Sequence, residues 1–233
     1  MQIVEQIEKG LRQLPFEASD ETRRTCAEKC TAFIELLAKW NKTYNLTAIR
    51  SPEEMVTRHI LDSLAIAPYV SGKDIIDVGS GAGLPGIPLA ILYPGKNFLL
   101  LDSSGKKTRF ITHATIDLGL HNVDIVQSRV EDYREKQFDQ VVCRAFTALS
   151  NLSGKLCHLL KEDSTILAMK GKEDTTLEAD SQLKVERTIS YKVPLLDADR
   201  QLVLLRLVRE DQLVREDQQG RDQQGEVSAG VNS

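Results

Sequence analysis

The segment Asp74–Pro88, which reads DIIDVGSGAGLPGIP, constrains this chain more than any other. A short apolar run feeds into Gly79, Gly81 and Gly83, and a helical pattern resumes near Leu84 and Pro85. Proline suits a first helical turn, where its missing N–H is not needed. Alternating glycines let the backbone turn sharply, approach a ligand closely and aim amide groups at it. A purely structural turn rarely needs three of them.

The residues around this loop alternate in rhythm. Short apolar runs at 74–79, 97–102, 123–127, 138–143 and 164–170 are separated by helical stretches near 84–93, 105–119, 147–160 and 173–183. Such alternation predicts an α/β fold with a mostly parallel, twisted sheet and helices on both faces. Val185–Val193 and Gln201–Val208 break the rhythm and predict a C-terminal antiparallel hairpin. Residues 1–70 read as helices instead. Asp20 is the expected N-cap of a helix with Cys26, Cys30, Phe33, Ile34, Leu37 and Trp40 on one stripe, and Pro52 opens another with Val56, Ile60, Leu61, Leu64 and Ala67. The predicted organisation is a helical cap over 1–70, a ligand-binding domain over 71–208, and a disordered tail over 209–233 rich in Arg, acid and Gln.

The chain carries a net charge of −4, which at first argues against a protein covered in phosphate contacts. The tail accounts for most of it, with three basic and six acidic residues, leaving 27 basic and 28 acidic residues over 1–208. A near-neutral body can still gather its cations around one crevice. No apolar run approaches membrane-helix length, and the N-terminus carries Glu5 and Glu8 where a secretory signal would be basic and then apolar. The four cysteines form no Cys-x-x-Cys pair, and no metal-ligand spacing occurs. The expectation is a soluble, reduced, cytoplasmic protein without a metal.

Two ligands compete for the loop. Gly81–Gly86 fits the Gly-x-Gly-x-x-Gly of a nicotinamide dinucleotide fold, a weak signal alone. Read from Asp77, Asp-Val-Gly-Ser-Gly-Ala-Gly resembles motif I of S-adenosylmethionine-dependent methyltransferases. A carboxylate at Asp77 suits a cationic cofactor and would repel a pyrophosphate, so charge favours S-adenosylmethionine. Asp102, ending the second apolar run, is placed for ribose hydroxyls in either case. Val130 and Glu131 fall where methyltransferases flank the adenine. At the end of the fourth run, Cys143-Arg144-Ala145-Phe146 replaces the Asn/Asp-Pro-Pro-aromatic motif of exocyclic-amine methyltransferases.

Together, Asn45-Leu46-Thr47, Arg58–Leu64, Asp77–Pro88, Leu101–Phe110, Arg144-Ala145-Phe146 and Lys170-Gly171-Lys172 are similar to the GidB/RsmG family over roughly residues 1–208. The resemblance implies a Rossmann-like class I methyltransferase. It implies methylation of N7 of a guanosine in a functional loop of 16S ribosomal RNA, guanine 527 in standard 16S numbering. It also implies that Gly79, Leu84, Val130, Glu131 and Arg144 lie at the cofactor, beside Asp77, Gly81, Gly83 and Asp102. The tail after about residue 208 matches no family pattern.

Guanine N7 has an in-plane lone pair and no proton to lose, so its methylation needs no general base. Arg144 and Lys170 are the expected catalytic residues. Arg50, Arg58, Lys106, Lys107, Arg109, Lys170 and Lys172 are expected to meet the RNA, either free or in the small subunit, with the protein acting as a monomer. His59 and Asp62, three residues apart on one helix, are expected to share a hydrogen bond or to line the site mouth. A nicotinamide oxidoreductase and a noncatalytic RNA-binding protein are the alternatives.

Overall fold

Apolar runs that tolerate burial on both faces build the centre of the sheet. The computed structural model describes residues 2–171, 177, 181–196 and 198–208. Its seven strands are β1 (Asp74–Val78), β2 (Asn97–Asp102), β3 (Val123–Gln127), β4 (Phe138–Arg144), β5 (Leu160–Lys170), β6 (Leu183–Lys192) and β7 (Asp199–Leu207). They lie in the order β3-β2-β1-β4-β5-β7-β6. The first five pair in parallel, and β7 runs antiparallel to both β5 and β6. The strand order reverses between β1 and β4, and an open α/β sheet holds its ligand in the crevice beyond the strand ends at such a point.

The expected α/β sheet and terminal hairpin are therefore present, with shifted boundaries. β5 starts at Leu160, earlier than expected, beside a register irregularity between Phe138 and Gln140 of β4. The helix expected over 147–160 is instead two 3-10 turns around a short α-helix, Leu152–Leu156. Lys172, most of the helix expected over 173–183, and the 209–233 tail lie outside the described residues.

In the cap, α1 (Ile3–Leu11) and α2 (Asp20–Tyr44) precede α3 (Pro52–Met55), a π-helical stretch over Val56–Leu61, and α4 (Asp62–Leu64). Ser19, not Asp20, caps α2: its hydroxyl accepts the Thr22 N–H at 3.1 Å, and Asp20 occupies the first helical turn. The predicted stripes are buried, apart from a half-buried Trp40. They pack on α5 (Gly86–Leu92) and α6 (Gly105–Asp117), where Phe33 and Trp40 meet Phe110 at centroid distances of 5.9 and 5.6 Å. Residues of the cap (Ile7, Phe33, Leu61) and of the sheet layer (Ile87, Leu100, Val142) belong to one apolar core. The cap is thus a layer of the same folded unit. Among the described residues no helix is long and apolar enough to cross a membrane.

Buried Gln140 of β4 fastens the cap's exit to the sheet. Its side-chain oxygen accepts the Ser71 N–H at 3.1 Å, while its amide nitrogen donates to the Tyr69 carbonyl at 3.0 Å and to Thr165 Oγ1 at 2.8 Å. A Gln140→Leu substitution leaves these groups without partners at a buried junction. It should destabilise the protein by about 2–4 kcal/mol, measured by denaturant unfolding.

Candidate active site

Two cavities open beyond the C-terminal ends of the parallel strands, and Ala145 lines both. This residue follows β4 directly and has a φ of 50°, a left-handed turn that sends its two neighbours different ways. Arg144 faces one cavity and Phe146 the other.

The first cavity, about 530 Å³, is bounded by Gly79, Asp102, Lys107, Val130, Glu131 and Phe146. Gly79 has a φ of 68°, and a Cβ on it would lie 2.7 Å from the Phe146 ring. The loop must be glycine there both for its turn and for the ring laid over it. Asp102 accepts the Gly81 N–H at 2.9 Å and the Ser104 N–H at 2.8 Å, with Lys107 Nζ 3.7 Å away. Lys107, expected at the RNA, therefore turns into this cavity. Glu131 pairs with Lys155, whose ammonium holds its carboxyl below the usual range.

The sequence predicts loop amides aimed at a ligand, whereas five of them turn onto the protein. Gly79 and Ser80 donate to the Leu101 carbonyl, Gly83 and Leu84 donate to the Ser80 carbonyl, and Gly81 donates to Asp102. These bonds shape the loop and leave those groups unavailable to a pyrophosphate. Leu84 is buried and off the first cavity's wall. The Leu84–Pro85 peptide is cis, and Pro85 precedes α5 instead of entering its first turn. Gly83 (φ 83°) packs its Cα against Ile87.

Asp77 is fully buried behind the loop. Its Oδ2 accepts the Gly86 N–H at 2.8 Å, and its Oδ1 has no partner among the described residues. Burial raises its pKa to about 7 despite that bond.

The second cavity, about 370 Å³, is lined by four cationic side chains, Arg58, Arg144, Lys170 and Arg200. Asp62 organises two of them: its Oδ2 accepts from Arg144 Nη1 and its Oδ1 from Arg200 Nε, both at 3.2 Å. Arg144 also donates to the Arg58 carbonyl at 3.1 Å, and Lys170 donates to the Thr147 carbonyl. The expected His59–Asp62 bond does not form, because charge-assisted bonds to two guanidinium groups hold the carboxylate elsewhere. His59 lines this cavity and pairs with Thr47. Its Nδ1 lies 3.0 Å from the Arg58 carbonyl, which assigns Nδ1–H as donor and leaves Nε2 to accept the Thr47 hydroxyl at 2.9 Å. Burial, then the Arg144 charge, lower its pKa to about 4. The π-helical stretch carries Arg58 and His59, consistent with the use of such distortions at functional sites.

Of the other expected RNA contacts, Arg50, Lys106 and Arg109 are exposed, outside both cavities. Sequence reasoning missed Arg200, Tyr191, Lys155 and Thr47. Thr47 alone carried a signal, in the Asn-Leu-Thr motif.

The titrations of His59 and Asp77 act in opposite directions. Unfolded His59 takes its proton near 6.5 and folded His59 near 4, so stability falls by about 3 kcal/mol as pH drops through that window. Unfolded Asp77 loses its proton near 3.8 and folded Asp77 near 7, so stability falls by about 4 kcal/mol as pH rises through that window. Relative to wild type, Asp77→Asn should gain stability as pH rises from 4 to 7, and His59→Gln should lose it. Denaturant unfolding at both ends of the range checks this; curves parallel to wild type would contradict it.

The family described as "GidB: rRNA small subunit methyltransferase G" matches residues 26–203. "Ribosomal RNA small subunit methyltransferase G" of Psychromonas ingrahamii is 44% identical over 211 residues, covering 89% of this chain and 100% of that protein. The protein of the same name from Nitrosococcus oceani is 45% identical over 203 residues, covering 86% and 93%. Among solved structures, the mitomycin 7-O-methyltransferase MmcR superposes with a TM-score of 0.55 at 16% identity, covering 88% of this chain and 67% of that one, a likeness of fold. With this sheet order, this glycine loop and these relatives, the chain belongs to the rRNA small subunit methyltransferase G family.

Proposed function

We propose that this chain transfers a methyl group from S-adenosylmethionine to N7 of a guanosine in 16S ribosomal RNA, guanine 527 in standard 16S numbering. The carrying observation is the pair of cavities meeting at Ala145, one bounded by the glycine loop, Asp102 and Glu131 with Lys107, Arg129 and Lys155 beside them, the other by four cations around Asp62. A nucleoside whose ribose hydroxyls meet Asp102 fits the first, and an anionic nucleotide fits the second.

The donor set supports the cofactor. A carboxylate has about four acceptor sites, so Asp102 keeps capacity for ribose hydroxyls beyond its two backbone N–H partners. Val130 and Glu131 would flank the adenine, and Gly79 and Gly81 permit close approach. Asp77 would act from behind the loop, as a buried charge and brace. S-adenosylmethionine supplies an electrophilic methyl on a positive sulfur. The occupied loop amides speak against a nicotinamide dinucleotide, which needs them for its pyrophosphate.

The chain's own residues then position guanine in line with that methyl and exclude water. Arg144 and Lys170 line the second cavity, Arg144 next to the shared Ala145, and would orient the base and its phosphate, with Arg58 and Arg200 beside them. Among the described residues that line the second cavity, neither His59 nor Asp62 is set up as a proton acceptor. His59 has both ring nitrogens engaged, and Asp62 is held by two arginines. N7 chemistry requires none. On this reading the protein acts in the cytoplasm as a monomer without a metal, on 16S RNA or the small subunit.

Mapping N7-methylguanosine in 16S RNA from cells with and without the gene tests the activity directly. Titration calorimetry should detect S-adenosylmethionine and not NAD, and Asp102→Ala should weaken cofactor binding about 10-fold or more. Arg144→Ala and Lys170→Ala should lower methyl transfer by about 10–100-fold with the fold intact. Undiminished methylation of ribosomal subunits by both variants would remove them from the mechanism. The rate should show no essential base near neutral pH once RNA and S-adenosylmethionine are both saturating, since the Asp77 titration enters through cofactor binding.

A further inference from the structure

The outer face where α2 meets α6 carries an aromatic step that extends outward from the core contact of Trp40 with Phe110. Trp40 lies 5.2 Å from Tyr44 and 5.3 Å from His113, centroid to centroid. Its inner side packs on Phe110, while Tyr44 is 42% exposed and His113 is exposed. Cations border the step. Lys106 and Arg109 share the α6 face of His113, Lys106 Nζ donates to the Tyr44 carbonyl at 3.1 Å, and Arg50 donates to Asn45 at 3.3 Å. Asp117, at the far end of α6, pairs with His113 at 3.5 Å.

This face adjoins both cavities through neighbouring residues of the chain. Lys107, next to Lys106, lines the first, and Ile49, next to Arg50, lines the second. We propose that the Trp40–Tyr44–His113 step stacks unpaired bases of the RNA flanking the target nucleotide, while Lys106, Arg109 and Arg50 meet its phosphates. The inference rests on the methyltransferase reading above and gives the helical cap a part in holding the substrate. Aromatic faces accept any base, and cations beside them follow the backbone; together they are the chemistry of a single-stranded nucleic-acid surface. A second copy of the chain would bring the same cations against this face.

Trp40 is the only tryptophan in the chain, so it reports on this surface directly. A single-stranded oligoribonucleotide from the 16S target region should quench its fluorescence saturably, and added salt should weaken the binding. Tyr44→Ala should lower RNA affinity about 10-fold, and Tyr44→Phe should restore it. Arg109→Ala should reduce the salt slope by about one phosphate contact. Both alanine variants should raise KM for the small subunit while leaving kcat and S-adenosylmethionine affinity unchanged. The proposal is overturned if wild-type protein methylates subunits while both variants keep its KM and RNA affinity. It is also overturned if fully duplex RNA quenches Trp40 equally, or if the signal follows protein concentration alone, which would mark a self-contact. RNA-dependent quenching by a wild-type protein that never methylates 16S RNA would uphold this surface and overturn the methyl-transfer reading instead.

Discussion

The hydrogen bond from the Gly86 N–H to the Asp77 carboxylate joins the end of β1 to the start of α5 across the whole glycine loop. A Cβ at Gly86 would sit 2.7 Å from that oxygen and 2.9 Å from Leu100, so strand, loop and helix approach only because the residue is glycine. With both ends of the loop pinned, its interior amides close on Leu101, Ser80 and Asp102, and Gly79 comes to rest under Phe146. The first cavity's wall follows from that closure. Its cost is a buried carboxylate with one oxygen unpartnered among the described residues, an expensive arrangement for a fold to keep without a use. A cation bound in front of the loop would offset it, which gives the burial of Asp77 a reason under the proposed function.

A second carboxylate does the equivalent work for the other cavity. Asp62 comes from the helical cap, Arg144 from the end of β4 and Arg200 from β7, three parts of the chain far apart in sequence. Their contact fixes where the cap sits over the strand ends. Thr47 extends the brace, accepting the Ile49 N–H while its hydroxyl donates to His59 and its N–H donates to Asn41. The cap is therefore part of the cavity wall, and its core is continuous with that of the sheet.

Features governed by local pattern were legible in the sequence. Apolar runs placed the central strands within a few residues, the change of rhythm after residue 180 marked the hairpin, and the positions of Asp102, Val130 and Glu131 at strand ends put them on one cavity. What depended on long-range pairing was not. Periodicity cannot reveal that Asp62 prefers two distant guanidinium groups to His59, nor that Arg200 on an outer hairpin returns to the cavity. Residue type put the cap of α2 at Asp20, and only the bond from the Thr22 N–H to the Ser19 hydroxyl shows that the cap lies one residue earlier. The glycines admit close contacts within the protein, as at Gly79 under Phe146, and whether their amides face a ligand or fold back depends on acceptors such as the Leu101 carbonyl and Asp102 of β2.

Charge distribution explains how a chain of net charge −4 can be built for RNA. The cations near the cavities are held by specific acceptors: Arg144 and Arg200 by Asp62, Lys170 by the Thr147 carbonyl, Lys106 by the Tyr44 carbonyl. An ordered cation loses less conformational entropy when a phosphate arrives, so few are needed if they are placed beforehand. A carboxylate such as Asp62 reduces the long-range field while fixing two guanidinium groups in direction. The local arrangement gains aim at the expense of reach. That trade suits the proposed function, in which one nucleotide is set in line with a methyl group and no proton acceptor is required.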